Sequence, residues 1–336
     1  MLQFAIIGFG GLGKLHFHNV AALQSRVKDV KLVAVCDVEK SAFYTETSTN
    51  LGKKQSDLSV QAYRLYTDAE VLLEKEKLDF VITALPTYLH EKISVLAMEK
   101  GIHVFSEKPM ALSLEQADHM IQTARKNNVK LMIGQCLRYM PEYVALKELI
   151  DSKRYGKVVK ADFFRYSATP EWSWQNWMKD ERKSGGACLD LHVHDVDFIH
   201  WVFGLPRSVS SVGTHYKTKY ESISTVYDYD NMLVTSNADW AMPAGYSLTK
   251  GFTVRFEKAT AFMTPEGMKL YAENGKRSIP ELSNKNCYLE EIVDFICCVQ
   301  ENRESEVNPP EESRESLRLA LAERESVDTG CKIALL

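Results

Sequence analysis

Phe4-Ala5-Ile6-Ile7 runs straight into Gly8-Phe9-Gly10-Gly11-Leu12-Gly13, and a helical pattern follows from about Leu12 to Gln24. An apolar run, a glycine-rich turn and a helix in immediate succession leave the chain few folds. The first glycine allows the tight turn. The second lets phosphates approach the backbone without meeting a Cβ, and the third permits close packing of helix on strand. The open helix start offers N–H groups and the positive end of the helix dipole to those phosphates. Gly8, Gly10, Gly11, Leu12 and Gly13 are therefore the expected cradle of a dinucleotide.

A second strand pattern, Val30 to Cys36, ends on Asp37, 24 positions after Gly13. A carboxylate there can accept hydrogen bonds from the adenosine ribose and would repel a 2′-phosphate, which favours NAD over NADP. Lys40 is the nearby charge that argues the other way. Strand patterns recur at 79–84, from His103, and at 129–133. Helical patterns separate them at 90–100 and 114–127. Short apolar strands alternating with helices predict a doubly wound parallel sheet over residues 1–135.

The pattern changes near Gln135. A helix at about 142–152 is followed by β-type runs at 158–166, 209–215, 222–229, 232–240 and 252–256, with one helix at about 189–203 among them. Consecutive strands without helices predict an antiparallel or mixed sheet, hence an α+β domain over 136–336. Two closing helices, at 290–300 and 311–328, flank Pro309-Pro310. The last is free to pack back on the first domain.

Composition narrows the function classes. The net charge is -4 and no long run of Lys or Arg occurs, so nucleic acid is not an expected partner. No stretch reaches the roughly 18 apolar residues of a membrane span. The apolar start lacks a basic leader and reads as a strand, so a cytoplasmic protein is expected. Seven scattered cysteines without a C-x-x-C pair suit reduced thiols.

Two clusters carry chemistry. Phe105-Ser106-Glu107-Lys108-Pro109 follows a strand at the carboxyl edge of the first sheet, where ligands of open α/β sheets bind. A lysine there can hydrogen-bond a substrate hydroxyl and stabilise a developing alkoxide. In Gly185-Gly186-Ala187-Cys188-Leu189-Asp190-Leu191-His192-Val193-His194-Asp195-Val196-Asp197, helical spacing puts Asp190, His194 and Asp197 on one side. A histidine beside a carboxylate is a candidate general base at neutral pH. Two histidines at i and i+2 do not converge on a helix, so no metal site is expected. Trp172, Trp174 and Trp177 lie in a loop before the glycine pair, and either stack on sugar rings or pack in the core.

The order G-F-G-G-L-G, Thr83-Ala84-Leu85-Pro86-Thr87 with His90, E-K-P, then S-G-G-x-x-x-D-x-x-x-H-x-x-D with Trp201 resembles the Gfo/Idh/MocA oxidoreductases, which include glucose–fructose oxidoreductase and inositol dehydrogenases. The resemblance implies an N-terminal Rossmann domain, and a C-terminal domain whose large, mostly antiparallel sheet makes homodimer or homotetramer contacts. It implies that Thr83, Leu85, Pro86, His90, Glu107 and Lys108 join the glycines and Asp37 at the cofactor. Lys108, Asp190 and His194 would surround the reacting hydroxyl of a sugar, glycoside or cyclic polyol, His194 taking its proton and Lys108 orienting its oxygen. Arg138 and Tyr139 match the family's R-[FY] pair near the rim of the site and would contact substrate, while Trp172 and Trp177 are candidate substrate contacts on their own stacking chemistry. His192 stands where many members carry a small residue, and is expected to add a substrate contact or alter the proton path. Two other readings stay open. One is a glycosidase or cofactor-recycling enzyme that holds NAD tightly. The other is a dinucleotide sensor without catalysis, which would be expected to lack Lys108, Asp190 or His194.

Overall fold

The computed structural model describes residues 1–45 and 59–336. The chain forms two compact units, Met1–Gln135 with Tyr288–Arg314, and Cys136–Cys287 with Glu315–Leu336.

The first unit alternates β1 (Leu2–Ile7), α1 (Gly11–Arg26), β2 (Val30–Cys36), β3 (Arg64–Tyr66), α2 (Ala69–Lys75), β4 (Phe80–Thr83), α3 (His90–Glu99), β5 (His103–Glu107), α4 (Leu114–Lys126) and β6 (Leu131–Gly134). The six strands lie in the order β3-β2-β1-β4-β5-β6 and every pair is parallel. This is the doubly wound Rossmann sheet the alternation predicts. Strand order reverses between β1 and β4, which opens a crevice at their carboxyl ends. Local chemistry sets the helix starts. The Asp68 carboxylate accepts from the Glu70 and Val71 N–H groups ahead of α2, and the Ser113 hydroxyl accepts from Gln116 N–H ahead of α4. Three-residue β3 and seven-residue α2 are too short to leave a periodic signal in the sequence.

The second unit opens with α5 (Pro141–Ser152) and β7 (Val158–Ala168), then α6 (Glu181–Ser184), a π-helical turn at Cys188–His192 and α7 (Val193–Phe203). The strands β8 (Ser208–Thr214), β9 (Ser222–Tyr229), β10 (Met232–Met242), β11 (Thr249–Phe256), β12 (Ala259–Thr264), β13 (Gly267–Ala272) and β14 (Arg277–Ser278) follow. Then come α8 (Cys287–Glu301), α9 (Pro310–Thr329) and β15 (Ile333–Ala334). The second sheet runs β14-β13-β12-β11-β7-β10-β9-β8-β15, and only the β7–β10 pair is parallel. One face carries Ala161, Phe163, Val234, Ala238, Phe252 and Val254, all buried, and α5 and α7 cover it through Tyr143 and Phe198.

The return of the chain to the first unit is made by α8 and the start of α9, not by the last helix as a whole. Leu289, Ile292, Phe295 and Ile296 of α8 join the core of Phe4, Ile6, Phe80 and Phe105, with the Phe295 ring edge-on to Phe80 and Phe105. Arg314 pairs with Asp118 at the start of α9, while the rest of that helix belongs to the second unit.

Candidate functional site

The glycine turn sits at the β1–β4 crevice. Gly8 has φ +94°, and a Cβ there would lie 2.3 Å from the Ala84 carbonyl oxygen. A Cβ on Gly13 would lie 1.9 Å from the Gly8 carbonyl oxygen. These two glycines are needed for the turn and for the packing of α1 on it. Gly10 differs: nothing lies within 4 Å of where its Cβ would be, and it caps α1 with no side chain. The start of α1 is thus bare backbone beside open space, which fits a pyrophosphate. Asp37 closes the motif. Its Oδ2 accepts from Phe9 N–H at 2.7 Å and its Oδ1 from Glu39 N–H at 2.9 Å. The half-exposed carboxylate is therefore fixed against the glycine turn with lone pairs to spare.

Lys14 is a neighbour that the motif does not announce. It is buried, donates to the Thr45 carbonyl at 2.6 Å and lies 5.7 Å from the Phe9 ring centroid. Burial lowers its pKa, and the nearby Asp37 charge works against that shift.

At the end of β5, Lys108 is half-buried and precedes a cis Pro109. His90 grips this corner from α3. Its Nδ1 lies 2.7 Å from the Pro109 carbonyl and its Nε2 2.8 Å from the Leu85 carbonyl. Burial pushes the His90 pKa down, and the two carbonyls work against that shift. Thr83 is buried and donates to the Phe105 carbonyl at 3.4 Å, and Glu107 Oε1 lies 2.6 Å from His16 Nε2. The Thr83, His90 and Glu107 side chains thus have internal partners that hold this corner of the unit together. Leu85 and Pro86 remain half-buried after β4.

In the second unit, every residue from Ser184 to His200 is buried except Asp190 and His194. The π turn inserts before α7, so the run is not the single α-helix its spacing predicts. His194 Nδ1 lies 4.0 Å from Cys136 Sγ. The other polar residues of the run serve the core. Asp197 is held by Arg138, Nε to Oδ2 at 2.9 Å and Nη2 to Oδ1 at 2.8 Å, and accepts from Ser316 at 2.8 Å. Asp195 is held by Arg165 at 2.8 and 3.0 Å. His192 Nε2 lies 2.8 Å from Glu323 Oε2 on α9.

Three expectations change on this geometry. Asp197 does not share the outward side of Asp190 and His194. Arg138 has no side-chain exposure and spends its guanidinium on Asp197 instead of a substrate. His192 has none either and faces α9, so burial excludes the expected substrate contact. Tyr139 and Trp177 are half-buried, whereas Trp172 and Trp174 are 38% exposed and so are surface groups. Arg165 was missed, although β7 alternation puts it in phase with buried Ala161 and Phe163. A charge in phase with a core face was the signal. Among the described residues, no group of three or more His, Cys, Asp or Glu could hold a metal, and no helix is long and apolar enough to cross a membrane.

The glycine cradle, the fixed Asp37 and the strand reversal define a dinucleotide-binding Rossmann protein with a second, sheet-built unit. The chain belongs to the Gfo/Idh/MocA oxidoreductase family. The family's NAD-binding Rossmann model matches residues 2–135 and its C-terminal domain model residues 143–262. The chain is 30% identical over 235 residues to 2,7-anhydro-N-acetylneuraminate hydratase of Mediterraneibacter gnavus, covering 68% of this chain and 56% of that protein. It is 29% identical over 237 residues to glucose-6-phosphate 3-dehydrogenase of Bacillus subtilis, covering 68% and 63%. The matched stretch thus spans less than two thirds of either relative. The fold is also that of the WlbA dehydrogenase from Bordetella pertussis in complex with NADH and UDP-GlcNAcA, with TM-score 0.81, 20% identity and coverage of 100% and 99%.

Proposed function

We propose that this protein moves hydride between a secondary hydroxyl of a sugar, glycoside or cyclic polyol and NAD. The observation that carries this reading is that Asp190 and His194 are the two half-buried residues in an otherwise buried run. Nothing in core packing requires a carboxylate and an imidazole to be the only two residues left open there. The names of the relatives, a sugar-phosphate dehydrogenase among them, support the substrate class.

The glycine turn and Asp37 would hold NAD, which when bound supplies the acceptor for the hydrogen leaving carbon. His194 takes the hydroxyl proton as general base. Lys108 donates a hydrogen bond to the substrate oxygen and stabilises its developing charge. Asp190 orients the substrate beside His194. Trp172 and Trp177 offer ring faces to the sugar. Exposed Val212, Val226, Leu233 and Tyr271 on the large sheet support a homodimer or homotetramer through its open face.

The test incubates purified protein with NAD and a panel of sugars, glycosides and inositols, following nicotinamide absorbance. Reduction with at least one member is expected. Silence across the panel, with cofactor shown to exchange, would sink a simple dehydrogenase. A second reading rests on the hydratase among the relatives. Adding water causes no net oxidation, so a cofactor-recycling enzyme, an NAD-dependent glycosidase included, would hold NAD through purification and release no NADH.

A further inference from the structure

The core face of β11 ends in a charge. Phe252, Val254 and Phe256 are buried on that face, and Lys250 continues it by the period of two. Lys250 pairs in register with Arg165 on β7. The two side chains therefore stand side by side under the helices that cover the sheet. Arg165 is neutralised by both oxygens of Asp195. Lys250, half-buried, has no hydrogen-bonded carboxylate: among the described residues its ammonium lies 3.2 Å from the Met140 thioether, and the Asp195 charge, already spent on Arg165, reaches it only through space. Burial, and after it the Arg165 charge, pushes the Lys250 pKa down. Met140 directly follows the short helical turn Cys136–Tyr139, and Cys136 is the residue whose sulfur lies 4.0 Å from His194. The Cys136 thiol also acts on Lys250 through space, so the lysine shares a neighbour with the half-buried His194.

A desolvated ammonium beside a guanidinium, with a thioether for company, is an expensive arrangement for a resting protein. A purely structural position would be filled better by Met or Leu, which would continue the apolar face. An anion arriving from outside would supply the missing counter-charge. Resting on the proposed reading of this unit as the sugar-binding part of the enzyme, we propose that Lys250 binds an acidic group on the substrate, a carboxylate or a phosphate, and so makes the enzyme selective for acidic sugars.

The test is calorimetric titration of the full chain, loaded with NADH, with D-glucuronate, D-glucose 6-phosphate and D-glucose. At least one acid is expected to bind about tenfold or more tightly than glucose, the scale of one well-placed charge pair. Lys250→Met should remove that margin while keeping NADH affinity and equal or higher thermal stability. Lys250→Gln is the second variant, and the two acids separate carboxylate from phosphate recognition. The proposal falls if neither acid outbinds glucose, or if the margin survives in both variants. Turnover separates this from the function it rests on. Selective binding without hydride transfer overturns the dehydrogenase reading alone, and turnover of neutral sugars that ignores Lys250 overturns this inference alone.

Discussion

His192 Nε2 lies 2.8 Å from Glu323 Oε2, and neither side chain has any exposed surface. The pair joins the π turn that carries Asp190 to the last helix, α9. Tyr227 lies against the same carboxylate, and burial together with that charge raises its pKa well above the ordinary value. Removing one partner strands the other in the core. Glu323→Ala should cost about 1–3 kcal/mol of stability, read by urea unfolding. It should also lower turnover more than NAD affinity, because the turn it anchors bears Asp190. An Ala variant as stable and as active as the wild type would show that the pair positions nothing.

Lys108→Ala and His194→Ala should each remove turnover, by about 10²–10⁴-fold for loss of the general base. NAD affinity should stay nearly unchanged, since neither residue belongs to the glycine cradle. Nucleotide fluorescence and steady-state rates measured on the same preparations check this. Loss of NAD binding in both variants would show that the chemistry has been assigned to the wrong residues.

The first unit was legible because its signals are local. Gly8, Gly13 and Asp37 each do within a few residues what the motif requires, and the strands between helices are continuous apolar runs. The candidate chemistry was legible only in part. Spacing singles out Asp190 and His194, which the structure leaves half-buried, but the same run contains Asp195, Asp197 and His192, which spacing alone does not tell apart from them. Arg165, Arg138 and Glu323, distant in sequence, claim those three for the core. Helical phase was a further trap, because the π turn shifts the faces that an ideal helix would assign. Lys250 shows the converse. A period-two reading of β11 puts it on the core face, but only the missing carboxylate partner makes it notable.

Asp37 gives a cofactor prediction. Its carboxylate is fixed by Phe9 N–H and Glu39 N–H, so it cannot swing away from a 2′-phosphate. Asp37→Ser should weaken NAD binding by about tenfold and strengthen NADP binding, as expected where a ribose-binding carboxylate is lost. Titration of both nucleotides into both proteins decides it. Unchanged preference would place the adenosine ribose elsewhere.

Acid sensitivity follows from two histidines of the first unit. Burial lowers the pKa of His90 from its ordinary 6.5, and burial with the Lys130 charge lowers that of His103. Below the ordinary value the unfolded chain takes up protons that the folded chain refuses. Stability is therefore fully present above about pH 6.5 and is lost as pH falls through the window down to the folded-state values. The carboxylates whose pKa is lowered, Glu76, Glu115, Asp118, Asp180 and Asp228, act in a more acidic range, since their ordinary values are 4.5 for Glu and 3.8 for Asp. Urea unfolding at about pH 7.5 and about pH 5.5 thus isolates the histidines while the carboxylates stay ionised in both states. A lower unfolding free energy at the acid pH is expected. His103→Gln should flatten that dependence in part, and the remainder should belong to His90, whose ring clamps Leu85 to Pro109 beside Lys108. If stability is the same at both pH values, these rings are not held neutral by the fold.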